Sequence, residues 1–267
     1  NPLQVTKEFV DMLCQTPINR ISLGIQSMSD VELRWLTRKH KAAMIEPAIK
    51  LLRERGFKNI SGDIIYGLPN STVQSVKNNI AEFQKLQLNH ISCYLLELCE
   101  NSPLYRFHSD IPSDEILAKQ YHAICKMLRS NGYMQYEISN FALPGFESQH
   151  NLKYWKSGDY LALGASACGN IQGMKYQNPA NLKEYSAHVS QKDRFVGCDD
   201  GKYAIQDYIM MRLRLKDGLP LGEFQQRFGF SFWEGREKVI AKLTTMGMIL
   251  VSEDSICLTE DALFVSN

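Results

Sequence analysis

The stretch Ile60-Ser61-Gly62-Asp63-Ile64-Ile65-Tyr66-Gly67-Leu68-Pro69 decides the fold. It is a short apolar run rich in β-branched residues and closed by Gly and Pro, the pattern of a buried strand. Asp63 interrupts it. A carboxylate in a buried strand is costly unless something pairs with it. Asp63 therefore either accepts hydrogen bonds that only hold the fold or belongs to a binding site. Arg20-Ile21-Ser22-Leu23-Gly24-Ile25-Gln26-Ser27 is a second strand of the same kind, with Gln26 near its C-terminal end. Two consecutive strands with polar groups near their ends point to a site at the carboxyl edge of a parallel sheet.

Working outward, helical spacing predicts a helix near 5–14, with Val5, Phe9, Val10 and Leu13 on one face. Ser29-Asp30-Val31-Glu32 has capping-box spacing before a short helix. Residues 41–55 read as a helix stopped by Gly56, which Pro47 kinks unless it lies in the first turn. Ser71-Thr72-Val73-Gln74 again has capping-box spacing, before a helix burying Val73, Val76, Ile80, Phe83 and Leu86. Strand 90–96, a loop to about 112 and a helix over 114–131 follow. Alternating strands and helices at these spacings mean βαβ units and a parallel sheet. With only three such units before residue 132, the sheet is expected to be part of a barrel rather than a closed one.

Beyond 132 the pattern changes. Tyr136–Phe141 reads as a short strand and Tyr160–Gly169 as a strand rich in small residues, suited to close approach by a ligand. His150-Asn151-Leu152-Lys153-Tyr154-Trp155 is dense in aromatic and ligating side chains. Helices are expected at Tyr203–Leu213, Leu221–Phe228 and Trp233–Met246, then a hairpin of Met248–Val251 and Ser255–Leu258. Three helices and a hairpin resemble a winged helix. The expected division is 1–132 barrel part, 133–200 extension and 201–267 winged-helix-like domain.

Composition narrows the function classes. The 267 residues are 44% hydrophobic and 22% charged, which is ordinary for a globular chain. A net charge of +1 gives no electrostatic case for nucleic acid or an anionic membrane. No apolar run is long enough to span a bilayer and no signal peptide opens the sequence. The seven Cys, at 14, 93, 99, 125, 168, 198 and 257, form no Cys-x-x-Cys pair, which favours a reducing, cytoplasmic setting over disulfides or structural zinc. The first residue is Asn1, so a processed chain, a truncated one or a piece of a longer one is expected.

Six ordered segments carry a resemblance: RISLGIQS (20–27), Arg38-Lys39-His40, DIIYGLP (63–69), HISCYLLE (90–97), YEISNFA (136–142) and HNLKYW (150–155). In order and spacing they resemble the oxygen-independent coproporphyrinogen III oxidase-like radical S-adenosylmethionine (SAM) proteins, and among these the HemW-type haem-chaperone branch. The resemblance covers nearly the whole chain. It implies an α/β fold: a partial (β/α) radical SAM TIM-type barrel with a C-terminal, winged-helix-like accessory domain.

It also implies sites. Gln26, Arg38 and Asp63 match SAM-holding positions; Arg38 suits the methionyl carboxylate, and Gln26 and Asp63 suit ribose hydroxyls or the α-amino group. Glu97 and the Ala165–Cys168 segment match positions lining the same cavity. His150, with Asn151, Tyr154 and Trp155, matches the haem-binding pattern, and His150 is the candidate ligand of haem iron. For an isolated histidine, the reading would be a loop residue bonded to backbone. The implied cofactors are SAM, haem and a [4Fe–4S] cluster. The implied partners are haem or porphyrinogen and haem-accepting respiratory proteins, some of them membrane-associated. The implied function is haem binding and delivery, with oxidative decarboxylation of coproporphyrinogen propionates as the alternative. Two departures stand out. The family's Cys-x-x-x-Cys-x-x-Cys run and its Gly-rich segment are not in this sequence; both normally lie upstream, so the chain is expected to be the C-terminal two-thirds of the family's length. Cys168 stands where chaperone-type relatives often carry His.

Overall fold

The computed structural model describes residues 1–191 and 204–266. Cys198 and Tyr203 lie outside the described residues. Packing divides the chain into two units, Asn1–Glu147 and Ser148–Asn267. We retain the finer three-part division, with breaks after 132 and 200, as a proposal.

The first unit runs α1 (Lys7–Leu13), β1 (Arg20–Gln26), α2 (Asp30–Trp35), α3 (Ile45–Glu54), β2 (Asn59–Tyr66), α4 (Val73–Lys85), β3 (His90–Leu95), α5 (Asp114–Ser130), β4 (Met134–Gln135) and β5 (Asn140–Ala142). Its sheet has the order β1-β2-β3-β5-β4. The first three strands are parallel, as expected, and the last two are antiparallel. The sheet is open, with no closed barrel. The expected strand over Tyr136–Phe141 is corrected: Asn140–Ala142 pairs back on Met134–Gln135, and 136–139 form the turn between them.

Strand side chains alternate between faces with period two. One face carries Leu23, Ile25, Ile60, Ile64, Ile91 and Cys93, all buried. Gly62 lies on that face, and a Cβ there would strike Leu88 and Phe83, so its missing side chain lets α4 pack close. Helix α4 buries Val76, Ile80 and Phe83, and α5 buries Leu117, Tyr121, Ile124 and Leu128. The opposite face is polar: Ser22, Ser61 and His90 stand in one register row, and Gly24, Asp63 and Ser92 in the next.

Helix ends differ from the sequence expectation in instructive ways. Ser29 is the N-cap of α2 but makes no capping bond. Glu32 turns away from it, accepting from Ser27 Oγ (2.5 Å) and Asn79 Nδ2 (3.0 Å). For α4 the box is shifted by one residue: Thr72 and Ser75 cap each other's backbone. Pro47 lies in the first turn of α3, which ends before Gly56 at φ +90°. Val5 precedes α1 and Phe9 is exposed, so Val10 and Leu13 anchor that helix. The expected loop after β3 contains a 3₁₀ helix, Pro103–Asp110.

The second unit contains α6 (Gln149–Trp155), β6 (Cys168–Ile171), β7 (Met174–Gln177), α7 (Leu182–Gln191), α8 (Ala204–Leu213), β8 (Leu219–Pro220), α9 (Leu221–Phe228), α10 (Glu237–Thr245), β9 (Ile249–Val251), β10 (Ser255–Leu258) and α11 (Glu260–Val265). The expected strand Tyr160–Gly169 is not formed. Gly164 (φ +107°) and Ser166 (φ +61°) turn the backbone into a loop, and strand begins at Cys168. Side chains hold that loop: Asn178 Nδ2 donates to the carbonyls of Ala162 (3.2 Å) and Gly164 (2.9 Å), and Tyr176 Oη accepts from the Ala162 amide (2.9 Å). The winged-helix reading gains a third strand, since β10 lies between β8 and β9. The core there is Tyr208, Leu219, Phe224, Phe232, Ile240, Ile249 and Ile256. Helix α10 begins at Glu237, not Trp233. Among the described residues no helix is long and apolar enough to cross a membrane.

Candidate functional site

The polar sheet face of the first unit gathers part of the predicted SAM set. Strand β1 bulges between Gly24 and Gln26, and Gln26 adopts φ +72°. The Gln26 amide folds back across Gly24; a Cβ at Gly24 would lie 2.8 Å from Gln26 Nε2. Gly24 is the register neighbour of Asp63. The absent side chain therefore lets the Gln26 amide approach the strand pair that carries the half-buried Asp63 carboxylate. Asp63 accepts from Ser22 Oγ at 3.2 Å. Burial raises its pKa above the ordinary carboxylate value; hydrogen bonds to Ser92 and Ser22 and the charge of Arg20 oppose that rise.

Arg38 is exposed just beyond α2, its amide bonded to the Leu33 carbonyl at 2.8 Å. No ion pair joins it to a carboxylate among the described residues. Its neighbour His40 fixes the loop: the buried ring's Nε2 meets the Ile25 carbonyl, at the bulge, at 3.0 Å. Glu97 is exposed beyond the C-terminal end of β3. Thus Gln26 and Asp63 come together, whereas Arg38, beyond α2, and Glu97, beyond β3, stand apart with exposed side chains. Cys168 lies in the second unit, exposed at the start of β6.

Sequence reasoning missed the row beneath Asp63. His90 is 1% exposed. Its Nδ1 meets Ser61 Oγ at 2.8 Å and its Nε2 meets Tyr136 Oη at 2.7 Å. Burial, then the Arg20 charge, push its pKa down to about 3, so the ring is neutral. The signal was present: period-two alternation places Ser61, Asp63, His90 and Ser92 on one face, a polar face inside an otherwise apolar sheet.

In the second unit the HNLKYW segment is a helix, not a loop, with Ser148 Oγ capping the Asn151 amide at 3.4 Å. Helical spacing brings residues i and i+4 together, so exposed His150 Nε2 meets Tyr154 Oη at 2.8 Å. The Tyr154 ring stands edge-on to His150 (centroids 4.8 Å) and to Tyr160 (4.3 Å). Trp155 is half-buried beneath the Arg214 guanidinium, 4.8 Å from its ring centroid, and its Nε1 is buried without a partner. Asn151 is half-buried on the same helix. Tyr154 and Tyr160 also border a cavity of about 220 Å³ closed by Lys175, Asp207, Tyr208 and Arg227. That is smaller than the roughly 300–1,000 Å³ clefts that enclose drug-sized ligands. A large flat ligand on His150 would therefore lie at the surface.

Several known proteins are similar to this chain. Residues 1–83 match the Radical SAM superfamily and residues 202–265 match the HemN C-terminal domain. The heme chaperone HemW of Lactococcus lactis is 31% identical over 272 residues, covering 100% of this chain and 72% of its own length. The chain belongs to the HemW heme chaperone family. The HemW of Bacillus subtilis is likewise 31% identical, over 277 residues, with the same shares of both chains. Among solved structures, coproporphyrinogen III oxidase (HemN) from Escherichia coli, a radical SAM enzyme, superposes with a TM-score of 0.80 at 21% identity. That match covers 99% of this chain and 66% of the other, and it establishes the fold: part of a radical SAM barrel followed by a HemN-type C-terminal domain. These two HemW relatives thus match the whole of this chain, while this chain spans 72% of their length.

Proposed function

We propose that this protein binds haem on the Gln149–Trp155 helix and delivers it to haem proteins. The observation that carries this is full-length similarity to HemW heme chaperones. The chemistry of α6 agrees with it. His150 is an exposed imidazole, a standard axial ligand for haem iron, with flat aromatic neighbours that can pack on a porphyrin. An exposed ligand also suits a carrier, because cargo held at a surface is released without opening a core.

Ligation by Nε2 requires the hydrogen bond to Tyr154 to break, whereas Nδ1 has no hydrogen-bond partner among the described residues. Asn151, Tyr154 and Trp155 would shape the contact. SAM would take Gln26, Asp63 and Arg38, with Glu97 as a further contact. When bound, SAM and a reduced iron–sulfur cluster supply radical chemistry. The residues here do not fit the cluster: among those described, no group of three or more His, Cys, Asp or Glu is placed to hold a metal. Acceptors would be respiratory haem proteins, some at membranes, met in the reducing cytoplasm.

The test is a haemin titration of the chain beside His150→Ala, followed by Soret absorbance. Saturable binding with a shifted Soret band, lost in the variant, is expected. Equal affinity and spectrum in both would overturn the ligand assignment. No binding by folded wild-type chain would overturn haem binding by this part of the protein.

A further inference from the structure

Helices α4 and α5 pack side by side on the apolar face of the sheet, held by Gln84 Nε2 donating to the Met127 carbonyl (3.1 Å). Their outward stripes leave an open groove of about 620 Å³. Its floor is apolar, from Val73, Ala123 and Met127. Its rim is cationic, from Lys77, Lys119 and Lys126. On α5 the lining runs from Lys119 to Ser130, about three helical turns, and on α4 from Val73 to Lys77, about one turn. None of these residues belongs to the sheet face or to α6.

We propose that this groove docks an acidic amphipathic helix of a protein partner. Three observations select that occupant. First, two of the three rim lysines are not spent internally. Lys85 pairs with Glu82 and Lys119 with Glu115, both solvent-exposed, but no ion pair engages Lys77 or Lys126 among the described residues. Second, the charge is local: the chain as a whole carries only +1, so an acidic partner is drawn to this groove rather than to the surface at large. Third, an apolar floor between cationic walls matches a helix with an apolar stripe flanked by Glu or Asp, the helix-in-groove mode of recognition. A second copy of this chain is disfavoured, since a self-complementary contact here would set lysines against lysines. Nucleic acid is disfavoured by the apolar floor, which offers phosphate nothing, and by a lining whose one ring is His122, with no Phe, Tyr or Trp for bases to stack on. The proposal does not depend on haem binding.

The probe is a fluorescent helical peptide of about four turns, with Leu and Ala at i, i+3, i+4 and i+7 and Glu flanking the stripe. A control peptide replaces every Glu with Gln. Anisotropy should show saturable binding of the Glu peptide that weakens with salt. It should be about tenfold weaker for the Gln peptide and for K77E/K126E, with K77Q/K126Q in between. Circular dichroism and melting of both variants should match wild type, since these side chains are exposed. Four results would each overturn the proposal. They are no saturable binding, equal binding of the two peptides, indifference to the lysine changes, and phosphatidylglycerol vesicles or self-association consuming these lysines while the peptide does not bind.

Discussion

Acidification should unfold the first unit through His90. The ring is almost completely inaccessible, and both nitrogens are satisfied by hydroxyls of Ser61 and Tyr136. Its folded pKa, about 3, lies below the unfolded value of about 6.5. A depressed histidine pKa means the unfolded chain binds the proton first. The neutral ring's contribution is therefore complete above pH 6.5 and is lost as pH falls toward 3. At pH 4.5 the gap between 4.5 and 6.5, at about 1.4 kcal/mol per unit, amounts to a loss of roughly 3 kcal/mol. His90→Asn keeps an acceptor facing Ser61 and removes the titration. The variant should be less stable at pH 7 by about 1–3 kcal/mol, from the lost Tyr136 contact and the space left behind. Between pH 7 and 4.5, however, it should lose about 3 kcal/mol less than wild type. Urea unfolding followed by Trp35 fluorescence, in a W155F/W233F background, reads the first unit alone. Parallel pH curves for the two proteins, or an NMR titration placing His90 near 6.5, would refute the reasoning.

Asp63 carries the opposite sign. Burial raises its pKa, so the stability it contributes is full below the unfolded value and declines as pH rises through the folded one. Asp63→Asn should raise the melting temperature at neutral pH and flatten its fall with rising pH, while weakening SAM binding measured by calorimetry; an unchanged or lower melting temperature would contradict a strained, desolvated carboxylate. Tyr154→Phe removes a hydrogen bond that ligation through His150 Nε2 must break. At about 1 kcal/mol for that bond, haemin affinity should rise about fivefold, and a fall would mean the hydroxyl contributes to the bound state.

Local pattern carried much of the molecule. Short apolar runs closed by turn residues gave β1 and β2, and 3.6-residue spacing gave α3 and α4, because those signals arise from which side chains of one element face the core. The ordered motifs gave the family. Small apolar residues misled at 160–167, where Gly164 and Ser166 adopt positive φ and distant side chains such as Asn178 hold the chain as a loop. Glu32 looked like a capping residue, but Ser27 and Asn79 compete for it, and Asn79 arrives from another helix.

The residues alone identify part of a radical SAM barrel followed by a winged-helix-like domain. They state the periods, turns and motifs involved. Tertiary structure alone decided that Gln26 folds over Gly24 toward the Asp63 strand, that His90 is locked neutral between Ser61 and Tyr136, and that two unpaired lysines rim an apolar groove. Each of these depends on residues about 30 to 50 positions apart in sequence meeting in space, and a local pattern specifies an element's faces without naming what packs against them.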